Sequence, residues 1–417
     1  MGKRIIFHID ANSAYLSWEA AWRLQHGEAL DLRTVPAIVG GDPETRHGIV
    51  LAKSIPAKKF GIQTGESIFS AHAKCPDLVI VPPNYQLFMQ CSSALGDVLR
   101  QYSSVIEQYS IDEYFLDYTH SVGLFGDPVK AAHLIKDRIK TKLGFTVNVG
   151  VSSNKLLAKM AGELKKPDMV HTLFPDEIPA KMWPLPVEEL FMIGSATAKK
   201  LKSRLIYTIG DLANSDPKDI KLFLKSPGML VWNYANGYDL SPVRENRRIV
   251  IKGIGNSSTI AFDIEDRETA HLALLSLTET VGARLRQAEY CAQVISVSLR
   301  TNEFYSCSHQ KKIHTPTDCT NTIHAVVCEL FDELWQGQPI RHLGVRVSEL
   351  STNDFIQLSL FQKAIEKQSA LDRVVDNIRS RFGSRSIIRS SFLHSALSPM
   401  TGGTVADDEY PMMSSLL

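Results

Sequence analysis

Apolar residues first cluster at Ile5, Ile6, Phe7 and Ile9, a near-continuous run that closes on Asp10 and predicts a buried strand over Arg4–Asp10. The spacing then turns helical over Ser13–Gln25. A strand follows at Gly48–Ser54, opening a loop rich in Pro, Lys and Gly, and another at Leu78–Val81. Helical spacing returns over Tyr85–Tyr102, then two strands at Ile106–Ser110 and Glu113–Tyr118, a helix at Pro128–Leu143, a strand at Phe145–Val151 and a helix at Asn154–Leu164. That alternation predicts an α+β core with helices covering one sheet face. Pro186–Leu240 offers only short helices, and Ser241-Pro242-Val243 reads as a linker. Beyond it the order is strand Ile249–Ile260, helix Glu268–Ala288, strands Ala292–Arg300 and Phe304–His314, helix Asn321–Trp335 and strand Gly344–Leu350. This second βαββαβ layout shows no sequence repeat of the first. After Leu350 the chain is polar with one apolar patch, and a disordered tail is expected.

Composition narrows the class. A chain of 417 residues that is 44% hydrophobic supports several cores, so multidomain organisation is expected. No apolar run approaches the roughly 18 residues of a spanning helix, and the opening Met-Gly-Lys-Arg turns acidic too soon for a signal peptide. The six cysteines contain no C-x-x-C pair, which speaks against a zinc knuckle or redox motif. A net charge of +1 looks unsuited to a nucleic-acid partner, yet the charge is uneven. Residues 193–252 hold 11 basic and 5 acidic side chains, a net of +6, whereas residues 253–352 hold 8 and 12, a net of −4. The densest point, Arg244, Arg247, Arg248 and Lys252, is open to two readings: a solvated linker, or a stripe that follows phosphates.

Two acidic features carry candidate chemistry. Asp10 ends a buried strand, and Asp112-Glu113 begins another. Adjacent carboxylates at a strand start are costly unless neutralised, and hard oxygen ligands around Mg²⁺ would neutralise them. Taken singly, an Asp-Glu pair is more often turn chemistry. The blocks Asp10-Ala11-Asn12-Ser13-Ala14-Tyr15, Lys58-Lys59-Phe60-Gly61, Ser110-Ile111-Asp112-Glu113, Asn154 to Met160, and Lys166-Pro167 occur together, however, in one order and spacing. In that set the chain resembles the Y-family translesion DNA polymerases, most closely their bacterial DinB type, over about residues 4–361.

The resemblance implies a right-hand polymerase: α+β multidomain, with a ferredoxin-like palm at 1–22 and 76–175, small fingers at 23–75, and a helical thumb with a helix-hairpin-helix at 176–240. A basic linker at 241–252 would lead to a βαββαβ little finger at 253–352 and a flexible tail at 353–417. It implies metal ligation by Asp10, the Ala11 carbonyl, Asp112 and Glu113, holding two Mg²⁺ ions for nucleotidyl transfer from a dNTP to a primer 3′-hydroxyl, with low fidelity and no proofreading. Tyr15 matches the steric gate that excludes a 2′-hydroxyl, and Lys159 matches a residue contacting the triphosphate. Lys58 stands where the family usually has Arg, Ile55 where it often has Tyr, and Ala52 where a hydroxyl is common, so that loop offers fewer phosphate hydrogen bonds.

For primer-template DNA the resemblance points to Gly194, Lys199 and Lys200 in the hairpin and to Arg247, Arg248 and Lys252 beyond it, although Met192 occupies the hairpin's first Gly position. Gln357-Leu358-Ser359-Leu360-Phe361 resembles the peptide that binds the bacterial β sliding clamp, with Gln357, Leu358, Leu360 and Phe361 as anchors. A cytoplasmic, nucleoid-associated monomer with no membrane partner is expected. Two other readings stay open at this point: a palm-type nucleotidyl cyclase, and a catalytically impaired clamp-associated DNA-binding protein.

Overall fold

The apolar run at the start of the chain forms strand β1 (Ile6–Ala11), all of whose residues are buried. The computed structural model describes residues 4–41, 48–244, 251–352, 365–393 and 395–400. After β1 come α1 (Ala14–Gln25), β2 (Ala37–Gly40), β3 (Val50–Lys53), α2 (Ile55–Lys59), α3 (Ile68–Lys74), β4 (Val79–Val81) and α4 (Tyr85–Arg100). Then follow β5 (Ile106–Gln108), β6 (Glu113–Asp117), α5 (Val122–Phe125), α6 (Pro128–Leu143), β7 (Val147–Ser152), α7 (Lys155–Glu163) and β8 (Val170–Thr172). Local chemistry sets several ends: Asn84 and Asn154 accept the amides of Leu87 and Leu157 at the starts of α4 and α7. Pro128 occupies the first turn of α6 and Gly144, at φ +77, closes it.

The first sheet has the order β5-β6-β1-β7-β8, antiparallel except for β7 and β8. Because strand side chains alternate, Phe7 and Ile9 join Leu116, Val149 and the inner faces of α1, α4 and α6 in one core. His8 and Asp10 point to the opposite face, beneath α7. Gly150 pairs with His8 in the register, and a Cβ placed on it would fall 1.9 Å from the Ala158 carbonyl oxygen. Only a hydrogen fits there, so α7 rests directly on the sheet. A separate three-stranded sheet, β3-β2-β4, encloses a small core of Ile38, Val50, Ile62 and Ile68.

The middle of the chain is helical: α8 (Ile178–Lys181), α9 (Ser195–Lys202), α10 (Ile209–Ala213), α11 (Pro217–Leu224) and α12 (Ser226–Ala235). Its core includes Leu190, Leu201 and Leu212 and continues into Leu156, Leu157 and Met160 of α7. Residues after it are fastened to the first sheet: Asn154 donates to the Gly237 carbonyl (2.9 Å), and the Arg244 amide donates to Glu107 (2.7 Å). Val243 packs with Ile6, Phe115 and Ala158. The expected linker is therefore anchored as far as Arg244.

A second unit follows: β9 (Gly253–Ile264), α13 (Arg267–Gln287), β10 (Tyr290–Thr301), β11 (Ser306–Thr317), α14 (Thr320–Leu334) and β12 (Ile340–Thr352). This is the expected βαββαβ order, folded as an antiparallel sheet β11-β10-β12-β9 whose core includes Leu274, Leu277, Ile323 and Phe331 from the two helices.

The tail departs from expectation. Within the stretch 353–417 read as flexible, α15 (Ile365–Phe382) and the residues to 400 fold back on α13 and α14. Arg286 of α13 donates to Asp376 (2.5 Å) and Asp372 (3.4 Å), while Arg379 and Arg389 both reach Glu279. The inward face of α15 is held by ion pairs, and the apolar Leu371 and Val374 point outward at 55% and 56% exposure. Leu371, Val374, Val375, Ile378 and Phe382 recur at helical spacing, but Leu371, Val374 and Phe382 of that stripe stay exposed, so the pattern marks a helix and not the charged face by which it docks.

Candidate active site

The β1–β6 register sets Asp10 directly opposite Glu113, and the Ala11 amide donates to the Asp112 carbonyl at 3.0 Å. All three sequence-identified carboxylates thus meet at one end of the first sheet, on adjacent strands. Their side chains are held separately. Asp112 accepts the Ser110 hydroxyl (2.6 Å), Asp10 pairs with Lys166, and Glu113 accepts both His8 (2.9 Å) and Lys159. Among the described residues no three acidic, His or Cys side chains are gathered closely enough to hold a cation as they stand.

The electrostatics nevertheless call for positive charge. Burial pushes the Asp10 carboxyl up despite Lys166, and burial, with Glu113 beside it, pushes Asp112 up despite the Ser110 hydrogen bond. Burial acts the same way on Glu113, but the hydrogen bond and charge of His8 and the ammonium of Lys159 hold it at about 2. Lysines 159 and 166 are stand-in cations on two of the three carboxylates. The donor set is all hard oxygen, on one sheet edge, with excess negative charge; this fits a divalent cation such as Mg²⁺.

Two partners of the carboxylates escaped the sequence reading. Lys166 belongs to a block quoted only for its resemblance, and the fold brings it onto Asp10 from 156 residues away. His8 looks like a core histidine inside an apolar strand, and its partner Glu113 is 105 residues distant. No local signal marks either. Lys159, expected against a triphosphate, sits one turn beyond Lys155 on α7 and is spent on Glu113, its ammonium also lying over the Tyr109 and Phe191 rings. Lys155 itself is committed to the buried Glu107.

Tyr15 projects from the first turn of α1. Its ring stacks on Phe88 at 4.5 Å and 8° between planes, and Phe88 is fully buried, so the phenol is braced from behind. Lys58 lies exposed on α2, with Ile55 at the start of the same helix and Ala52 on β3.

In the helical region Gly194 precedes α9 and supplies no side-chain cap, which leaves first-turn amides to face an anion. Lys199 and Lys200 are exposed on the same helix. Met192 adopts φ +74, the left-handed backbone that glycine favours. The loop therefore keeps a glycine-type shape at a steric cost of about 1–2 kcal/mol. Met192→Gly is expected to raise the melting temperature by about 1–3 °C without weakening duplex binding. Calorimetry and DNA titration check this, and a lower melting temperature would show that the Met side chain matters more than its strain. Lys252 is exposed; Arg247, Arg248 and the peptide Gln357–Phe361 lie outside the described residues.

Comparison with known proteins adds identity to this geometry. The model of the impB/mucB/samB family matches residues 9–163, and that of its C-terminal domain matches residues 251–360. The chain is 46% identical over 393 residues to a Clostridium acetobutylicum protein named DNA polymerase IV, covering 94% of this chain and 98% of that one. It is 38% identical to the Bacillus subtilis protein named DNA polymerase IV 2, covering 95% and 96%. Among solved structures, a Y-family DNA polymerase chimera superposes with a TM-score of 0.73 at 23% identity, over 84% of this chain and all of that one. DinB from Sulfolobus solfataricus gives 0.54, also at 23% identity, over 82% and 98%.

Proposed function

The chain belongs to the impB/mucB/samB family of Y-family DNA polymerases, of the DinB type, and from that premise we propose how Asp10, Asp112 and Glu113 carry its reaction. The activity is translesion DNA synthesis: a DNA-directed DNA polymerase that takes DNA and dNTPs as substrates and depends on a divalent metal. A binding-only protein is not favoured. No described helix is long and apolar enough to cross a membrane.

The observation that carries the mechanism is the pairing of Asp10 with Glu113 across β1 and β6, with Asp112 beside them. Asp10, Asp112, Glu113 and the Ala11 carbonyl would hold two Mg²⁺ ions, which supply charge neutralisation on the triphosphate and lower the pKa of the primer 3′-hydroxyl. The sheet fixes the carboxylates, so the protein's contribution is position and field. Lys166, at the edge of this group, is placed to receive a phosphate oxygen once relieved of Asp10, and Lys159 is similarly placed beside Glu113. Exposed Lys58 would add one ammonium from the fingers.

The palm is the first sheet with α1, α4, α6 and α7; the fingers are the β3-β2-β4 sheet; the thumb is α8–α12, and the little finger is β9–β12 with its two helices. Gly194, Lys199, Lys200, Arg247, Arg248 and Lys252 would contact the DNA backbone, giving affinity without base readout. The polymerase acts as a monomer, and Gln357, Leu358, Leu360 and Phe361 tether it to the sliding clamp, raising its effective concentration at primer ends. Primer extension on a lesion-bearing template, with and without clamp, tests these points; extension that ignores alanine at Leu358 and Phe361 would remove the tether.

The braced ring of Tyr15 supplies sugar selection by exclusion. Tyr15→Ala is expected to cut discrimination against ribonucleotides by about a hundredfold, the order a shaped pocket provides. Single-nucleotide insertion kinetics with dNTP and rNTP measure it, and unchanged discrimination would dismiss the gate.

A further inference from the structure

We propose that His8 is a positioning residue for Glu113 and thereby sets the affinity of the site for its divalent cation. The inference rests on reading Asp10, Asp112 and Glu113 as that cation's ligands.

His8 is fully buried on β1, two residues before Asp10 on the same face, and diagonal to Glu113 in the register. Its Nε2 lies 2.9 Å from Glu113 Oε2, and its Nδ1 is buried with no partner. An ionised carboxylate only accepts, so Nε2 carries the donated proton. The ring is held by packing instead of a second hydrogen bond: it lies 4.9 Å from the Phe115 ring, and a Cβ on Gly162 would come within 3.2 Å of Nδ1. A histidine serving only as core would be poorly chosen here, because leaving one buried ring nitrogen unsatisfied costs roughly 1–3 kcal/mol. The single bond it makes is to the carboxylate.

Lys159 donates to the same oxygen, Oε2. Lys159 is the donor that the cation would exchange for; His8, fixed on β1, stays on Oε2 and holds the side chain by it, leaving Oε1 to be presented. A glutamate otherwise has three rotatable bonds to order on binding a cation. Groups that hold a ligand carboxylate in this way typically contribute 10- to 100-fold to metal affinity.

The experiment uses the full chain with His8→Phe, which keeps an aromatic ring and loses the donor, and His8→Gln, whose amide can still donate. Mn²⁺ binding is measured by electron paramagnetic resonance of the free ion, and Mg²⁺ is titrated in single-nucleotide insertion. His8→Phe is expected to weaken Mn²⁺ binding and raise half-saturating Mg²⁺ about 10- to 100-fold, with duplex affinity unchanged and His8→Gln recovering most of the loss. Wild-type Mn²⁺ affinity in folded His8→Phe, or an equal loss in His8→Gln, overturns the proposal. Should His8→Phe fail to fold, His8→Leu, which also lacks the donor, decides: a loss of about tenfold or more in Mn²⁺ affinity upholds the role, and wild-type affinity overturns it. Asp112→Asn and Glu113→Gln are the controls. If neither affects Mn²⁺ binding, the ligand reading itself fails; if both do and His8→Phe does not, only the positioning role falls.

Discussion

Asp112→Asn is expected to lower primer extension at least about a thousandfold, equivalent to about 4 kcal/mol of transition-state stabilisation, while making the protein harder to melt. The loss follows from replacing an anionic ligand by a neutral one at the place where cations neutralise the triphosphate. The gain follows from burial. Asp112 has its carboxyl pushed up from 3.8, so ionising it in the folded protein costs free energy that asparagine avoids, while the Ser110 hydroxyl can still donate to the amide oxygen. A group raised in the folded state favours folding when protonated. The advantage of asparagine is therefore full at neutral pH and disappears below the unfolded carboxyl's range near 3.8. Melting curves in chelator at several pH values, beside extension assays, check both halves. Normal extension sinks the metal assignment, and a lower melting temperature at neutral pH sinks the electrostatic one.

Arg286→Ala is expected to release the C-terminal helix from the second unit. Arg286 is the only described residue that donates to both Asp372 and Asp376, and it also donates to the Asp318 carbonyl and the Thr320 hydroxyl. Removing one partner of a buried ion pair strands the other, at roughly 3–5 kcal/mol. The helix itself offers little compensation, since Leu371, Val374 and Phe382 face outward, whereas beyond it Phe392 is buried and Leu397 packs on the unit's core. Limited proteolysis should then cut within 365–400 far faster than in the wild type, with the βαββαβ unit intact. Unchanged cleavage and melting would show that α15 is held by something other than its charges.

What could be read without coordinates follows from how each element is stabilised. β1, α4, α6, α7 and the βαββαβ unit bury apolar residues at their own period, so their patterns were legible, and the carboxylates were found because they interrupt such patterns. β2 and β8 are only 4 and 3 residues long and owe their pairing to distant partners. α15 is stabilised by Arg286 and Glu279, whose identity says nothing about a helix 90 or 100 residues away. His8 and Lys166 fall in the same class: their roles come from tertiary neighbours, and neither changes the local pattern. Met192 shows a further limit. It stands at the hairpin's first Gly position, which puts close approach to a phosphate in question, and only its φ of +74 shows that the backbone keeps the left-handed shape glycine favours.

The lysine partners of Asp10 and Glu113 make ligand binding at this site a linked process. Each ammonium neutralises a carboxylate in the protein alone; on the proposed ligand set a divalent cation would exchange for it and leave the lysine to the triphosphate. By thermodynamic reciprocity, nucleotide must tighten the hold on cation by the same factor that cation tightens the hold on nucleotide. On that reading the site would answer more steeply to their joint concentration than to either one alone.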